Sequence, residues 1–194
     1  MPDMRAHGQS EAPHDPAAYP ADVLVADALA LVAALGLEDY DLVGFSLGAR
    51  SALRGVLAGL TPGRLVLGGM GLEGIAQWAK RSAHFIDAID RFGTIPHGDP
   101  AWFAQAFMKT MQVDRTAARL LLGSVDDTAL SALSAITMPT LVLCGAEDKD
   151  NGSAPALAKA LPHGRYTEVP GNHMSSVTKP EFGAAIAGFL SEYC

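Results

Sequence analysis

The sequence predicts an α/β fold: a parallel sheet with helices on both faces, interrupted by a helical insertion. Three observations carry this. Short apolar runs and helix-patterned segments alternate along the chain. The runs are continuously apolar rather than alternating with polar residues, as strands covered on both faces are. The segment from Gly71 to Met138 has helical spacing and no strand candidate.

Residues 1–20, rich in Pro, Asp, His and Ala, read as a loop. Residues 21–36 (ADVLVADALALVAALG) place Leu24, Ala28, Leu31, Val32 and Leu35 on one face, and Gly36 is positioned to end this helix. Leu42-Val43-Gly44-Phe45 is a short buried strand, followed by a helix from Ser46 to Leu60. Leu65-Val66-Leu67 is the second strand and Thr140–Cys144 the third and clearest. Ser153 is an N-cap for a short helix over Ala154–Leu161, with Pro155 in its first turn. Arg165–Val169 is the fourth strand, and Pro180–Tyr193 the closing helix. In the insertion, Ile75 and Trp78, Phe85 and Ile89, and Phe103 and Phe107 keep helical spacing.

Composition narrows the function classes. The 194 residues are 49% hydrophobic and 18% charged, which argues for a packed globular chain and against disorder. The formal net charge of −7, with no Lys/Arg cluster, argues against a nucleic-acid partner. No apolar run approaches the roughly 18 residues that cross a bilayer, and the first residues lack the apolar stretch of a signal peptide. No membrane partner and a cytoplasmic location are the expectations. Cys144 and Cys194 form neither a disulfide framework nor a zinc site, and no metal is expected.

The sharpest motif is Gly44-Phe45-Ser46-Leu47-Gly48, where a strand ends and a helix begins. A nucleophilic serine needs a tight, strained turn, with small residues on either side so that strand and helix can approach. The helix start aims backbone N–H groups at the reacting oxygen. The competing reading is a serine that merely caps the helix. Serine also needs a base. Of the six histidines, His7 and His14 lie in the N-terminal loop, His84 and His97 in the insertion, and His163 at a helix end. His173 follows the last strand in Val169-Pro170-Gly171-Asn172-His173, at the strand end where functional groups gather in such sheets. The base needs a carboxylate. Gly145-Ala146-Glu147-Asp148-Lys149-Asp150 follows the third strand and offers three acids. Asp148 is the first choice, Asp150 the runner-up, and Glu147 a solvated residue.

GFSLG at 44–48, PTLVLCGAED at 139–148 and VPGNHMSS at 169–176 together resemble the α/β-hydrolase fold superfamily, in which the chain order is Ser, Asp, His. The resemblance supports Asp148, three residues past the strand-ending glycine, and His173 in its Gly-x-His turn. Pro2-Asp3-Met4-Arg5-Ala6-His7-Gly8-Gln9-Ser10 is similar to a further loop of that family, with Ala6 where glycine is usual. The resemblance implies a core over 1–70 and 139–194 that lacks the family's first strands, and a helical cap over 71–138. It also implies that the family's second oxyanion donor, from a loop after an earlier strand, is not among these residues. One missing donor is worth roughly 2.7–4 kcal/mol of transition-state stabilisation.

In that strand order the strand leading to Ser46 becomes an open edge, which invites pairing with another chain. A late start within a longer protein, a fragment completed by another polypeptide, and a compact variant that forms a homo-oligomer through this edge all fit. The implied activity is hydrolysis of small, largely apolar carboxylic esters, with Ser46 as nucleophile, His173 as base, Asp148 as its orienting acid and Leu47 N–H as oxyanion donor. No cofactor is implied. Phe45, Trp78, Trp102 and Met174 are candidates for an apolar substrate pocket, against the alternative that they only pack. Thioesterases, lactonases, C–C hydrolases and haloperoxidase-like enzymes share the pattern. A non-catalytic binding protein that retains the three residues is the rival from another class. Dehalogenases and epoxide hydrolases of this fold use a carboxylate nucleophile, against which Ser46 argues.

Overall fold

The computed structural model describes residues 1–192. Four strands, β1 (Leu42–Phe45), β2 (Leu65–Gly68), β3 (Thr140–Gly145) and β4 (Gly164–Val169), form one sheet in the order β1-β2-β3-β4. All pairs are parallel, with Val43 opposite Val66, Val66 opposite Leu141 and Leu141 opposite Arg165. Among the described residues β1 is therefore an edge strand, and Val43 is 46% exposed on it.

The chain forms two compact units. One contains Ala28–Ala76 and the described residues from Thr128 on; the other contains Met1–Asp27 and Gln77–Asp127. In the sheet-bearing unit, successive strand residues point to opposite faces. Leu65, Leu67, Val142 and Cys144 pack with Ala49, Ala52 and Leu53 of α2 (Leu47–Leu57) and with Ala154, Leu157 and Ala158 of α7 (Ala154–Ala160). On the opposite face, Val66, Leu141, Leu143 and Val169 pack with Phe182 and Phe189 of α9 (Pro180–Ser191). Both faces are thus covered, which is why these strands are apolar without alternation. Each fully buried Leu of this set contributes about 1.5–3 kcal/mol of transfer free energy.

The inserted helices α4 (Trp78–Asp90), α5 (Trp102–Thr110) and α6 (Arg115–Gly123) follow the short α3 (Leu72–Ala76). Their unit has its own small core of Ala88, Ile95, Ala101 and Met108, flanked by Phe92 and Trp102. Residues 1–27 belong to this unit. The Asp22 N–H donates to the Ser124 carbonyl at 2.7 Å, and His14 Nε2 lies 2.7 Å from Asp114 Oδ2. Arg5 makes a bidentate pair with Asp27 and donates to the Ala18 carbonyl. Ala6, at the position where the family usually has glycine, has φ 64°, the left-handed conformation that glycine adopts freely.

Several boundaries differ from the sequence-based expectation. The first twenty residues contain one 3-10 turn at Pro16–Ala18, capped by Asp15. The helix expected from Ser46 to Leu60 ends at Leu57. The closing helix ends at Ser191; Tyr193 and Cys194 lie outside the described residues. The larger correction concerns α1 (Val23–Leu35). Its buried residues are Val23, Leu24 and Val25, whereas Leu31 and Leu35, expected on the buried face, are exposed. The segment is apolar on almost every side, with Asp27 its sole charge, so its 3.6-residue periodicity does not single out one face. No helix among the described residues is long and apolar enough to cross a membrane.

Candidate active site

The site is built entirely within the sheet-bearing unit. β1 runs into α2 through Ser46, whose φ of 52° and ψ of −116° lie in a region that L-residues avoid. This turn is possible because Gly44 has no side chain: a Cβ there would sit 2.3 Å from the Gly48 carbonyl oxygen. The Ser46 N–H is held by the Gly68 carbonyl at 2.8 Å. Ser46 makes no side-chain capping bond to α2, contrary to the reading of it as a helix cap. Its Oγ lies 2.9 Å from His173 Nε2. Leu47 opens α2, so its N–H has no acceptor within the helix and forms part of the helix's positive end.

His173 begins the short helix α8 (His173–Ser176). Asn172 caps it by accepting from the Met174 and Ser175 N–H groups, while the Asn172 N–H donates back to Ser175 Oγ. This capping box fixes the direction in which the imidazole leaves the backbone. The ring of Phe45 lies against the imidazole, with centroids 4.9 Å apart, and meets Phe182 edge-on at 5.8 Å.

The acid loop comes into reach by a second close approach. A Cβ on Gly145 would lie 2.1 Å from the Gly171 carbonyl oxygen. With that space open, the Ala146 N–H donates to Val169 and the Glu147 N–H to Gly171, which stitches the loop after β3 to the histidine turn. Asp148 Oδ2 is then 2.9 Å from His173 Nδ1, and Asp148 Oδ1 accepts the Asp150 N–H. The Asp148 carboxylate is almost fully buried, whereas Asp150 is exposed. A carboxylate only accepts, so the imidazole proton sits on Nδ1 and leaves Nε2 to accept from the Ser46 hydroxyl.

Asn151 is a part of the site that sequence reasoning missed. It is 4% exposed; its Nδ2 donates to the Gly69 carbonyl at 2.7 Å, and its own backbone carbonyl accepts the Gly74 N–H at 2.9 Å. It ties the acid loop to the segment after β2. In sequence it looks like an ordinary turn residue before Gly152, and nothing local distinguishes it. Asn172 was open to detection, because Asn is among the preferred N-cap residues.

The remaining candidates are dispersed. Phe45 is half-buried against His173, and Met174 is 58% exposed beside it. Trp78 is buried, with its indole N–H donating to the Leu122 carbonyl at 3.2 Å. Trp102 packs edge-on against His97 and Phe103 within the helical unit. Cys144 is a free thiol behind the acid loop. Its pKa is pushed up to about 11 by burial, with Asp148 adding to the shift, so it is protonated at neutral pH. Asp148, Asp150 and His173 each bring one metal-ligating atom to within 4.8 Å of the others. Asp148 and His173 already bond each other, so a cation there would compete with that hydrogen bond.

Comparison with known proteins agrees with this architecture. Residues 1–186 match the model of the "Alpha/beta hydrolase family". A hydrolase from Pseudomonas aeruginosa PA01 superposes with a TM-score of 0.72 at 26% identity, covering 97% of this chain and 78% of its own. The enol-lactonase from Burkholderia xenovorans LB400 (TM-score 0.73, 23% identity) is covered over 79% of its length by 98% of this chain. The esterase from Exiguobacterium antarcticum (TM-score 0.73, 19% identity) is covered over 80% by 97% of this chain. No curated protein matches the sequence significantly. With a parallel sheet, a strained serine turn at the end of β1 and a family match across nearly all its length, the chain belongs to the alpha/beta hydrolase family.

Proposed function

We propose that the protein is a serine hydrolase of small, largely apolar carboxylic esters. The observation that carries this reading is the unbroken hydrogen-bonded chain from Ser46 Oγ through His173 to the buried Asp148 carboxylate. In the proposed reaction the Ser46 hydroxyl attacks the ester carbonyl carbon while His173 Nε2 takes its proton. The carbonyl oxygen becomes an oxyanion held by the Leu47 N–H. Collapse of the tetrahedral species breaks the bond to the alcohol, which leaves with the proton from His173. Water then attacks the acyl-enzyme, again through His173, and releases the acid and the free serine. Asp148 stabilises the imidazolium in both steps. We assign the apolar surface beside the acyl group to Phe45 and Met174.

The test is turnover of a panel of acetate, butyrate and aryl esters and a small lactone by the wild type and by Ser46→Ala. Ester turnover by the wild type that falls on the order of 10⁴–10⁶-fold in kcat with Ser46→Ala is the expected result. Turnover that survives Ser46→Ala overturns the proposal.

A further inference from the structure

The serine helix does more than present Ser46. Arg50 lies one turn beyond it and is fully buried, and its Nη1 donates to the carbonyls of both Gly74 and Ile75 at 2.7 Å. These are last-turn carbonyls of α3, which have no acceptor role inside that helix and carry its negative end. A further turn along, Arg54 Nη1 donates to Thr128 Oγ1 at 3.0 Å, and the Thr128 N–H donates to the same Ile75 carbonyl at 3.2 Å. Thr128 is itself 3% exposed.

These bonds close a ring: α2, Arg50, Ile75, Thr128, Arg54 and back to α2. The ring encloses the two places where the chain leaves the sheet-bearing unit and returns to it, since the inserted helices occupy Gln77–Asp127. Residues 50 and 54 share one face of a helix because they are four apart. On its other side Gly74 donates its N–H to Asn151 of the acid loop. The end at Gly74–Ile75 is thus tied to both the serine helix and the acid loop, and the end at Thr128 to the serine helix. A fully buried guanidinium is costly to desolvate. Its planar fork suits several acceptors at once, which an ammonium group meets less well.

We propose that Arg50 and Arg54 anchor to the serine helix both places where the chain leaves and rejoins the sheet-bearing unit. Arg54→Met and Thr128→Val each remove the Arg54–Thr128 bond and leave the buried Arg50 in place, which avoids the folding risk of an Arg50 variant. Hydrogen exchange of the intact protein is the measurement that tests this. Peptides covering 70–78 and 124–130 exchange about tenfold faster in both variants, while peptides of β3 and α9 keep the wild-type rate. Unchanged exchange at the two ends, or a rise across the whole sheet-bearing unit, overturns the anchoring.

Discussion

The two units of the protein are held in different ways. In the sheet-bearing unit the proposed catalytic groups are fixed by close backbone approach and apolar packing. Gly44 lies against Gly48 and Gly145 against Gly171, and the two faces of the sheet are filled by fully buried aliphatic residues. In the helical unit the core is small, and much of the cross-linking is ionic and exposed. Arg91 pairs with Asp87 and Asp99, and Arg119 with Asp90. Phe103 is 78% exposed and Phe107 45%. Packing of the first kind is insensitive to salt and intolerant of added volume. Exposed ion pairs are screened by salt and tolerate substitution. The unit fixed by close packing therefore holds the proposed catalytic groups, and the unit with exposed aromatics is held largely by screened ion pairs.

Two experiments sharpen this contrast. The larger effect belongs to Gly44→Ala. The new methyl group would meet the Gly48 carbonyl at 2.3 Å, and backbone cannot yield as a flexible side chain can. The expected cost is about 1–3 kcal/mol in denaturant unfolding, with ester turnover lost through displacement of Ser46. A fully active, undestabilised Gly44→Ala variant would break the claim that close approach sets the serine turn.

The smaller effect lies in the helical unit. Asp99 is held below its ordinary range by the Ala101 N–H and Arg91, and Asp90 by Arg119. A carboxyl group with a depressed pKa stabilises the fold above its ordinary value of 3.8, and that contribution is lost as pH falls through the lowered value. Hydrogen exchange in α4 and α5, corrected for the intrinsic pH dependence of exchange, should accordingly quicken as pH falls below that ordinary value, and also in high salt. Asp99→Asn should remove part of both responses. The strands β2 and β3 should respond less to salt. Equal salt responses in the two units would erase the distinction.

What the sequence revealed followed from how local each signal is. The strands β2 and β3 were visible because burial on both faces leaves continuous apolar runs. Ser46, Asp148 and His173 were visible because each sits at the carboxyl end of a strand, in a short motif of its own. The buried face of α1 was not visible, because a helix apolar on nearly all sides has no preferred stripe. The bonds of Arg50 and Asn151 were not visible either. They join residues 24, 25 and 82 positions apart, and their partners are backbone carbonyls, which have no residue identity to read. The choice between Asp148 and Asp150 depended on the fold of a single loop, in which the Asp150 N–H donates to Asp148 and its own carboxylate is exposed.

The most direct measurement is labelling of the folded chain with a fluorophosphonate, which Ser46 attacks at phosphorus with loss of fluoride, followed by mapping of the adduct by mass spectrometry. An activated Ser46 in a chain with His173 and Asp148 predicts an adduct on Ser46, a labelling rate lowered by orders of magnitude in Asp148→Asn, and a near wild-type rate in Asp150→Asn. A folded wild-type chain that does not label at Ser46, or one in which only Asp150→Asn slows labelling, would contradict it.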